Sequence, residues 1–226
     1  MSQSLSELEK RIGYKLTDQD LLKTAMTHSS VSLASDHEFN YERLEFLGDR
    51  VLGLIIADIL YHRYPMENEG DLAKRHAALV QGKTLAGIAQ KLQLSEVMIL
   101  SDSERAVGGA ENEHTLADGM EALLGAIYID GGLEECKRLI QELWDDIIDV
   151  MVEPPQDPKT ALQEWVQARG LPLPIYEIIE REGPDHAPLF TISVSVEGFE
   201  EVVSKASSRR AAEKKAAAAL LKIVET

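Results

Sequence analysis

The distribution of proline is the feature that most constrains the fold of this 226-residue chain. Pro65 is the only proline before Pro154, and seven prolines then fall between Pro154 and Pro188. Proline removes a backbone hydrogen-bond donor and clashes with the preceding turn of a helix, so a long proline-poor stretch favours helices. The proline-rich run over residues 153–158 predicts a short, stiff linker that separates two domains.

The first domain, predicted over residues 1–152, has apolar residues at helical spacing. We predict an all-α domain, with Gly131 and Gly132 separating its last two helices. Its predicted helices cover about residues 17–28, 41–64, 71–92, 115–129 and 133–151.

The second domain is predicted over residues 158–226, after a linker at 153–157. The spacing of its apolar residues differs from the helical spacing of the first domain. Apolar and polar residues alternate over 190–196, which is typical of a half-buried strand. Residues 175–182 are β-like, and a hairpin leads into a third strand over 200–205. With helices predicted over 160–169 and 208–224, the order α-β-β-β-α is that of a small α+β domain.

The net charge of −16 does not decide what the protein binds. Residues 1–157 contain 14 Lys or Arg against 29 Asp or Glu, a net of −15, and residues 158–226 contain 9 against 10, a net of −1. The acidity therefore lies in the first domain. A nearly neutral second domain can still present one basic face to phosphates.

The sequence favours a cytoplasmic protein without a membrane partner. No apolar run is long enough to span a bilayer, and the N-terminus lacks the pattern of a secretory signal. The single cysteine, Cys136, has no disulfide partner and is expected to be an unreactive buried or half-buried thiol. No His or Cys spacing suits zinc, and Gly108-Gly109 is a loop, so no small-molecule cofactor is expected.

Five acidic residues of the first domain are placed where they could share a site. Glu42, Glu45 and Asp49 stand at i, i+3 and i+7 of one predicted helix, so they share a face. Asp118 and Glu121 share a face of another helix in the same way. Clustered carboxylates suit hard divalent ions such as Mg²⁺, which assist phosphodiester hydrolysis. The alternative is an ordinary solvated helix face, although apolar residues surround these acids in the sequence.

Blocks of the first domain over residues 27–30, 40–49, 69–71 and 116–123 stand in the same order as blocks of the ribonuclease III family and resemble them. With the second domain included, the resemblance covers nearly the whole chain. The segment Asn40–Asp49 resembles the signature of that family, and the segment Leu116–Leu123 resembles its second acidic segment. Thr27–Ser30 and Glu69–Asp71 resemble two further blocks. The resemblance implies an endonuclease of double-stranded RNA that depends on Mg²⁺, with Mn²⁺ able to substitute.

The resemblance also implies roles for single residues. Six acids would be catalytic, and four of them would hold the metal, with Glu42 and Glu69 supporting the cleavage site and the dimer. The four metal ligands would be Glu45, Asp49, Asp118 and Glu121. Phe46 corresponds to an aromatic residue that inserts into the partner subunit of a homodimer.

In such a homodimer each subunit would contribute one cleavage centre that cuts one strand. The products would carry 5′-phosphate and 3′-hydroxyl ends with short 3′ overhangs. Ribosomal RNA precursors and other structured transcripts would be its substrates.

The second domain carries a basic cluster made of Lys205, Arg209, Arg210, Lys214 and Lys215. This cluster and the segment over residues 157–167 resemble elements of double-stranded-RNA-binding domains. The basic cluster stands at a predicted helix N-terminus, where free amides also favour phosphate. Alternatively, this cluster is only a solvated face. The implied RNA-binding residues are Thr160, Gln163, Gln167, His186, Lys205, Ser207, Ser208, Arg209, Arg210 and Lys214. Ser204 and Ala206 stand where this family often has glycines, so the turn before the basic helix departs from its pattern.

Two other function classes stay open on the residues alone. A double-stranded-RNA-binding protein that does not cut would be favoured by loss of a metal-site acid, but all four matching positions are acidic. A helical nucleotide pyrophosphohydrolase also uses acids at helical spacing, but it has no evident use for the second domain. Incubation with a long RNA duplex and Mg²⁺ would separate the three.

Overall fold

The computed structural model describes residues 2–31, 40–184 and 187–225. The chain divides into two compact units, Met1–Pro155 and Gln156–Thr226. Within the described residues, no helix is long and apolar enough to cross a membrane.

The first unit is built from helices, as predicted. Short 3₁₀ turns at Leu94–Glu96 and Gly109–Glu111 connect some of them. The helices are α1 Ser2–Ile12, α2 Gln19–Ala25, α3 Glu42–Arg63, α4 Glu69–Val80, α5 Gly82–Lys91, α6 Asp102–Ala106 and α7 Glu113–Asp149.

The prediction of one helix over residues 71–92 is wrong, because the structure has two. Gln81 is extended, with φ −70° and ψ 149°, and it separates α4 from α5. The Thr84 hydroxyl donates a hydrogen bond of 2.7 Å to the Ala78 carbonyl across this break, which satisfies an end carbonyl of α4. The predicted interruption near Gly131 and Gly132 is a kink within α7, at Gly132 with φ 82°.

The core of the first unit surrounds α7, which contributes its longest buried face. Leu123, Leu124 and Ile127 are fully buried there, and Leu52 and Ile56 are fully buried on α3. Burial of each such side chain stabilises the fold by about 1.5–3 kcal/mol. The pairing of α3 with α7 therefore contributes a large share of the buried apolar surface of this unit.

Two glycines let α3 and α7 touch along their backbones. A Cβ atom placed on Gly48 of α3 would overlap the carbonyl oxygen of Glu121 on α7. A Cβ atom on Gly125 would overlap the carbonyl oxygen of Leu44 on α3 in the same way. This contact brings the side chains next to it on the two helices within reach of one another.

The second unit has the predicted order: α8 Pro158–Gln167, β1 Ile175–Glu182, β2 Leu189–Ser195, β3 Val202–Ala206 and α9 Arg209–Val224. The strands form an antiparallel sheet in the order β1-β2-β3, with an irregularity between Ile178 and Glu180. Leu162 and Val166 of α8, Val194 of β2 and Leu220 of α9 form its core. The two helices therefore cover one face of the sheet, and the α+β prediction is confirmed.

Candidate active site and RNA-binding surface

Three carboxylates from α3 and α7 meet beside the glycine contact. One carboxylate oxygen from each of Glu45, Asp118 and Glu121 lies within 4.8 Å of the other two. All three side chains are partly buried. Glu45 lies one turn before Gly48, and the Glu121 carbonyl is the atom nearest to Gly48, so the helix contact itself sets the spacing of the cluster.

The charged forms of these three carboxylates are disfavoured in the fold. Burial, together with the charges of Glu45 and Asp118, raises the pKa of Glu121 to about 7. Burial and the neighbouring acids also raise the pKa of Glu45, and burial raises the pKa of Asp118. Three oxygen donors that repel one another suit a hard divalent ion, which would offset their charge.

Tyr41 holds one member of the cluster. It is 3% exposed at the start of α3, and its hydroxyl donates a 3.4 Å hydrogen bond to Asp118 Oδ2. Burial and the charge of Asp118 raise the pKa of Tyr41, so its hydroxyl stays protonated and can donate. The His28 ring meets Tyr41 edge to face, with centroids 5.3 Å apart. The Thr27–Ser30 block thus contacts the site through the rings of His28 and Tyr41.

The remaining predicted acids lie outside the cluster. Asp49 forms an ion pair with Arg50. Glu42 is exposed as the first residue of α3, and its charge contributes to the raised pKa of Glu45. Glu69 is exposed as the first residue of α4. The role of each of these three acids stays a prediction.

Phe46 lies on the rim of an apolar groove. Its side chain is 65% exposed, and the Arg50 guanidinium lies 4.9 Å from its ring centroid. The groove has a volume of about 790 Å³ and is lined by Leu21, Leu47 and Ile129 among others. A large exposed aromatic residue beside an open apolar groove is typical of an association surface.

The second unit gathers part of the predicted RNA-binding set around one recess of about 320 Å³. Thr160 and Gln163 of α8 and Arg210 and Lys214 of α9 line it. Ser208 caps α9 by accepting a hydrogen bond from the Ala211 amide.

The other predicted RNA-binding residues do not line that recess. Gln167, Lys205, Ser207 and Arg209 are exposed elsewhere on the second unit. His186 lies outside the described residues.

Sequence reasoning missed Tyr41 and the pair formed by Lys159 with the buried Glu213. The contact of Tyr41 with Asp118 joins residues 77 positions apart. The Lys159 Nζ atom donates a 2.6 Å hydrogen bond to Glu213 across 54 positions. Helical spacing predicts a shared face only within one element, so neither contact had a signal in the sequence.

Two protein-family models match the chain. The model described as Ribonuclease-III-like matches residues 18–147. The model described as double-stranded RNA binding motif matches residues 158–224. Together they cover most of both units.

Similar curated proteins and solved structures agree with these matches. A protein named ribonuclease 3 from Caulobacter vibrioides is 47% identical over 220 residues, covering 97% of this chain and 95% of its own. One from Wolbachia pipientis is 46% identical over 205 residues, covering 90% and 89%. The solved nuclease domain of ribonuclease III from Campylobacter jejuni is 39% identical with a TM-score of 0.60, covering 63% of this chain and 96% of that domain.

Proposed function

This chain belongs to the ribonuclease III family of double-stranded-RNA endonucleases, and from that premise we propose that it uses a divalent metal to hydrolyse the phosphodiester bonds of duplex RNA. The products would carry 5′-phosphate and 3′-hydroxyl ends. The observation that carries the proposal is the meeting of Glu45, Asp118 and Glu121 at one point of the α3–α7 contact.

The residues that would hold the metal fit Mg²⁺, or Mn²⁺ in its place. The three carboxylates offer hard oxygen ligands that lie within 4.8 Å of one another. Asp49 is proposed as a fourth ligand because it lies one helical turn after Glu45. Mg²⁺ bound there would activate water and stabilise the charge that develops on the phosphate oxygens.

Several side chains of this chain would favour the binding of such an ion. The raised pKa of Glu121, about 7, results from burial and from repulsion by Glu45 and Asp118. An anionic phosphate would also be repelled by this cluster unless a cation offset it. Tyr41 orients Asp118 by donating to its Oδ2 atom. Glu42 and Glu69 are proposed to support the site from the first turns of α3 and α4.

Cleavage of both strands is proposed to require a homodimer. The nuclease domain of the Campylobacter jejuni enzyme has a structurally flexible region involved in dimer formation. Here Phe46 is 65% exposed beside an apolar groove, which suits insertion into a second copy. Each subunit would then cut one strand and leave short 3′ overhangs.

The second unit is proposed to hold the duplex through the surface around its recess. Thr160 and Gln163 of α8 are exposed, as are Arg209 and Arg210 at the start of α9. Double-stranded RNA is recognised mainly through shape, 2′-hydroxyls and phosphates, which such side chains can contact. Ribosomal RNA precursors and other structured transcripts are the proposed substrates.

Cleavage of a long RNA duplex tests this function. We expect the full chain to cut the duplex with Mg²⁺ or Mn²⁺, to stop in EDTA, and to leave the separated strands largely intact. Product 5′ ends should be removable by a 5′-phosphate-dependent exonuclease. A folded protein that binds the duplex but never cuts it with either ion would refute the proposed catalysis.

A further inference from the structure

A buried carboxylate links the two helices of the second unit. Glu213 of α9 is 7% exposed, and it accepts hydrogen bonds of 2.6 Å from Lys159 of α8 and 2.8 Å from Arg209 of α9. Burial alone would raise the pKa of Glu213, but these two hydrogen bonds outweigh it and the pKa is lowered. The carboxylate is therefore charged at neutral pH and engages both cations.

A second ion pair links the same helices. The Lys214 Nζ atom of α9 lies 2.6 Å from Asp157, the N-cap residue of α8. Lys159 also lies over the ring of Tyr176 on β1, 4.6 Å from its centroid. The start of α8 is thus fixed to α9 at two points and to the sheet at a third.

Other cations of this unit are paired differently. Lys205 of β3 contacts Glu182 at 3.2 Å and Glu180 at 3.9 Å, and all three side chains are about half exposed. An exposed pair of this kind contributes little to stability and can exchange its acid for a phosphate. The Glu213 carboxylate is buried instead, so its contacts with Lys159 and Arg209 are part of the packing of the two helices.

The spacing between α8 and α9 matters for RNA recognition. In A-form RNA the minor groove and the phosphates across the neighbouring major groove lie at a set separation, and a domain that recognises shape must match it. Here α8 carries Thr160 and Gln163, whereas α9 begins with Arg209 and Arg210. The relative placement of these two helices therefore sets which duplex geometry the surface fits.

We propose that Glu213 is a positioning residue for RNA recognition, which holds α8 and α9 at the separation that A-form RNA requires. Asp157 serves as the second brace through Lys214. This inference rests on the proposed RNA-binding surface, and it adds that two acids within that surface increase affinity rather than oppose it.

The direction in which one substitution changes RNA affinity separates the positioning role from a purely electrostatic effect. Glu213→Gln removes a negative charge beside the phosphates, so charge alone predicts tighter RNA binding. The positioning role predicts weaker binding, because Lys159 and Arg209 lose their common partner. Glu180→Gln is the matched control, since it makes the same change at an exposed acid near Lys205 and should tighten binding slightly.

The test measures binding of the full chain to a 20-base-pair RNA duplex in Ca²⁺ or EDTA over a range of salt concentrations. For Glu213→Gln we expect the Kd to rise by about tenfold, the size of one lost charge-assisted hydrogen bond. The slope of log Kd against log salt should fall by about 1. The preference for duplex RNA over a DNA duplex of the same sequence should shrink, and Glu213→Asp should restore part of it.

Asp157→Asn provides a second variant, because asparagine can still cap α8 while the ion pair with Lys214 is lost. It should weaken RNA binding in the same direction, with circular dichroism showing a folded domain. Tighter binding by both folded variants, or an unchanged preference for RNA over DNA, would overturn the inference. Failure of the wild-type chain to bind the duplex would instead refute the proposed RNA-binding surface.

Discussion

At the scale of single residues, the site is defined by three carboxylates that oppose one another. Glu45, Asp118 and Glu121 all have raised pKa values, with burial as the first cause in each case. Folding therefore brings together groups that would ionise more easily apart. A protein tolerates such a cluster when its charge is offset at another stage of its function, and a divalent cation is proposed for that role here.

This cluster predicts how stability depends on pH in the metal-free protein. Glu121 titrates near 7 when folded, against an ordinary value of 4.5, so the folded state binds more protons between these values. The free energy of unfolding should therefore fall as pH rises from 4.5 to 7. In EDTA, the Tm of the wild-type chain should fall more steeply across this range than that of Glu121→Gln. Equal slopes for the two proteins would contradict the raised pKa.

The sequence could predict these three acids as a group but not their arrangement. Helical spacing places Glu45 on one face with two other acids, and Asp118 and Glu121 on a face of another helix. The family resemblance then joined the two groups in one metal site. Spacing gave no reason to separate Asp49 from the others, yet its side chain pairs with Arg50. Tyr41 was missed, because a hydroxyl that contacts an acid 77 residues away leaves no periodic pattern.

At the scale of elements, the contact between α3 and α7 positions the carboxylates of the site. Gly48 and Gly125 allow backbone contact between the helices, and this contact fixes the distance between Glu45 and Glu121. A side chain at either glycine would push the helices apart. The geometry of the cluster therefore depends on two residues that have no functional group.

Gly48→Ala is expected to damage both stability and cleavage. The new methyl group would overlap the Glu121 carbonyl, and such overpacking costs about 1–3 kcal/mol. Chemical denaturation and duplex cleavage rates measure the two effects. Gly53→Ala is the matched control on α3, because its Cβ would meet only His76 at an ordinary 3.7 Å and alanine favours the helix. Equal stability and activity for the two variants would contradict this role for the glycine contact.

The predicted element boundaries agree with the structure where the local sequence signals are strong. The long helix predicted over 41–64 is Glu42–Arg63, and the first strand matches its predicted range. The break at Gln81 was missed, because apolar spacing continues through it and Gly82, the local signal of a break, was given too little weight. The glycine contact was missed as well, since one sequence does not reveal which helix packs against which.

At the scale of the whole molecule, the chain combines a helical nuclease unit with a unit of the double-stranded-RNA-binding type. Family models match each unit separately, over residues 18–147 and 158–224. A duplex has two strands, and each chain has one carboxylate cluster among its described residues. The proposed cutting of both strands at one place would therefore use two copies of the chain.

Phe46→Asp should weaken the proposed homodimer. The change puts a charge where an exposed aromatic side chain borders an apolar groove, so association would bury an unpaired carboxylate. Sedimentation velocity at micromolar concentration should show a dimer for the wild-type chain and a larger monomer fraction for the variant. Tyr61→Asp, at another exposed aromatic residue of α3, tests whether the effect is specific to the groove. A wild-type monomer under these conditions would refute the dimer.

The carboxylate cluster is proposed to hold the ion that cleaves RNA, and Glu121→Gln tests this central claim most directly. Glutamine keeps the size of the side chain but removes an anionic ligand, so duplex cleavage with Mg²⁺ should fall by orders of magnitude, each tenfold being about 1.4 kcal/mol of barrier. The variant should still shift duplex RNA in a gel, because the second unit is unchanged. Glu134→Gln, at an exposed acid of the same helix, should cleave normally. Cleavage at the wild-type rate by a folded Glu121→Gln dimer would contradict the claim.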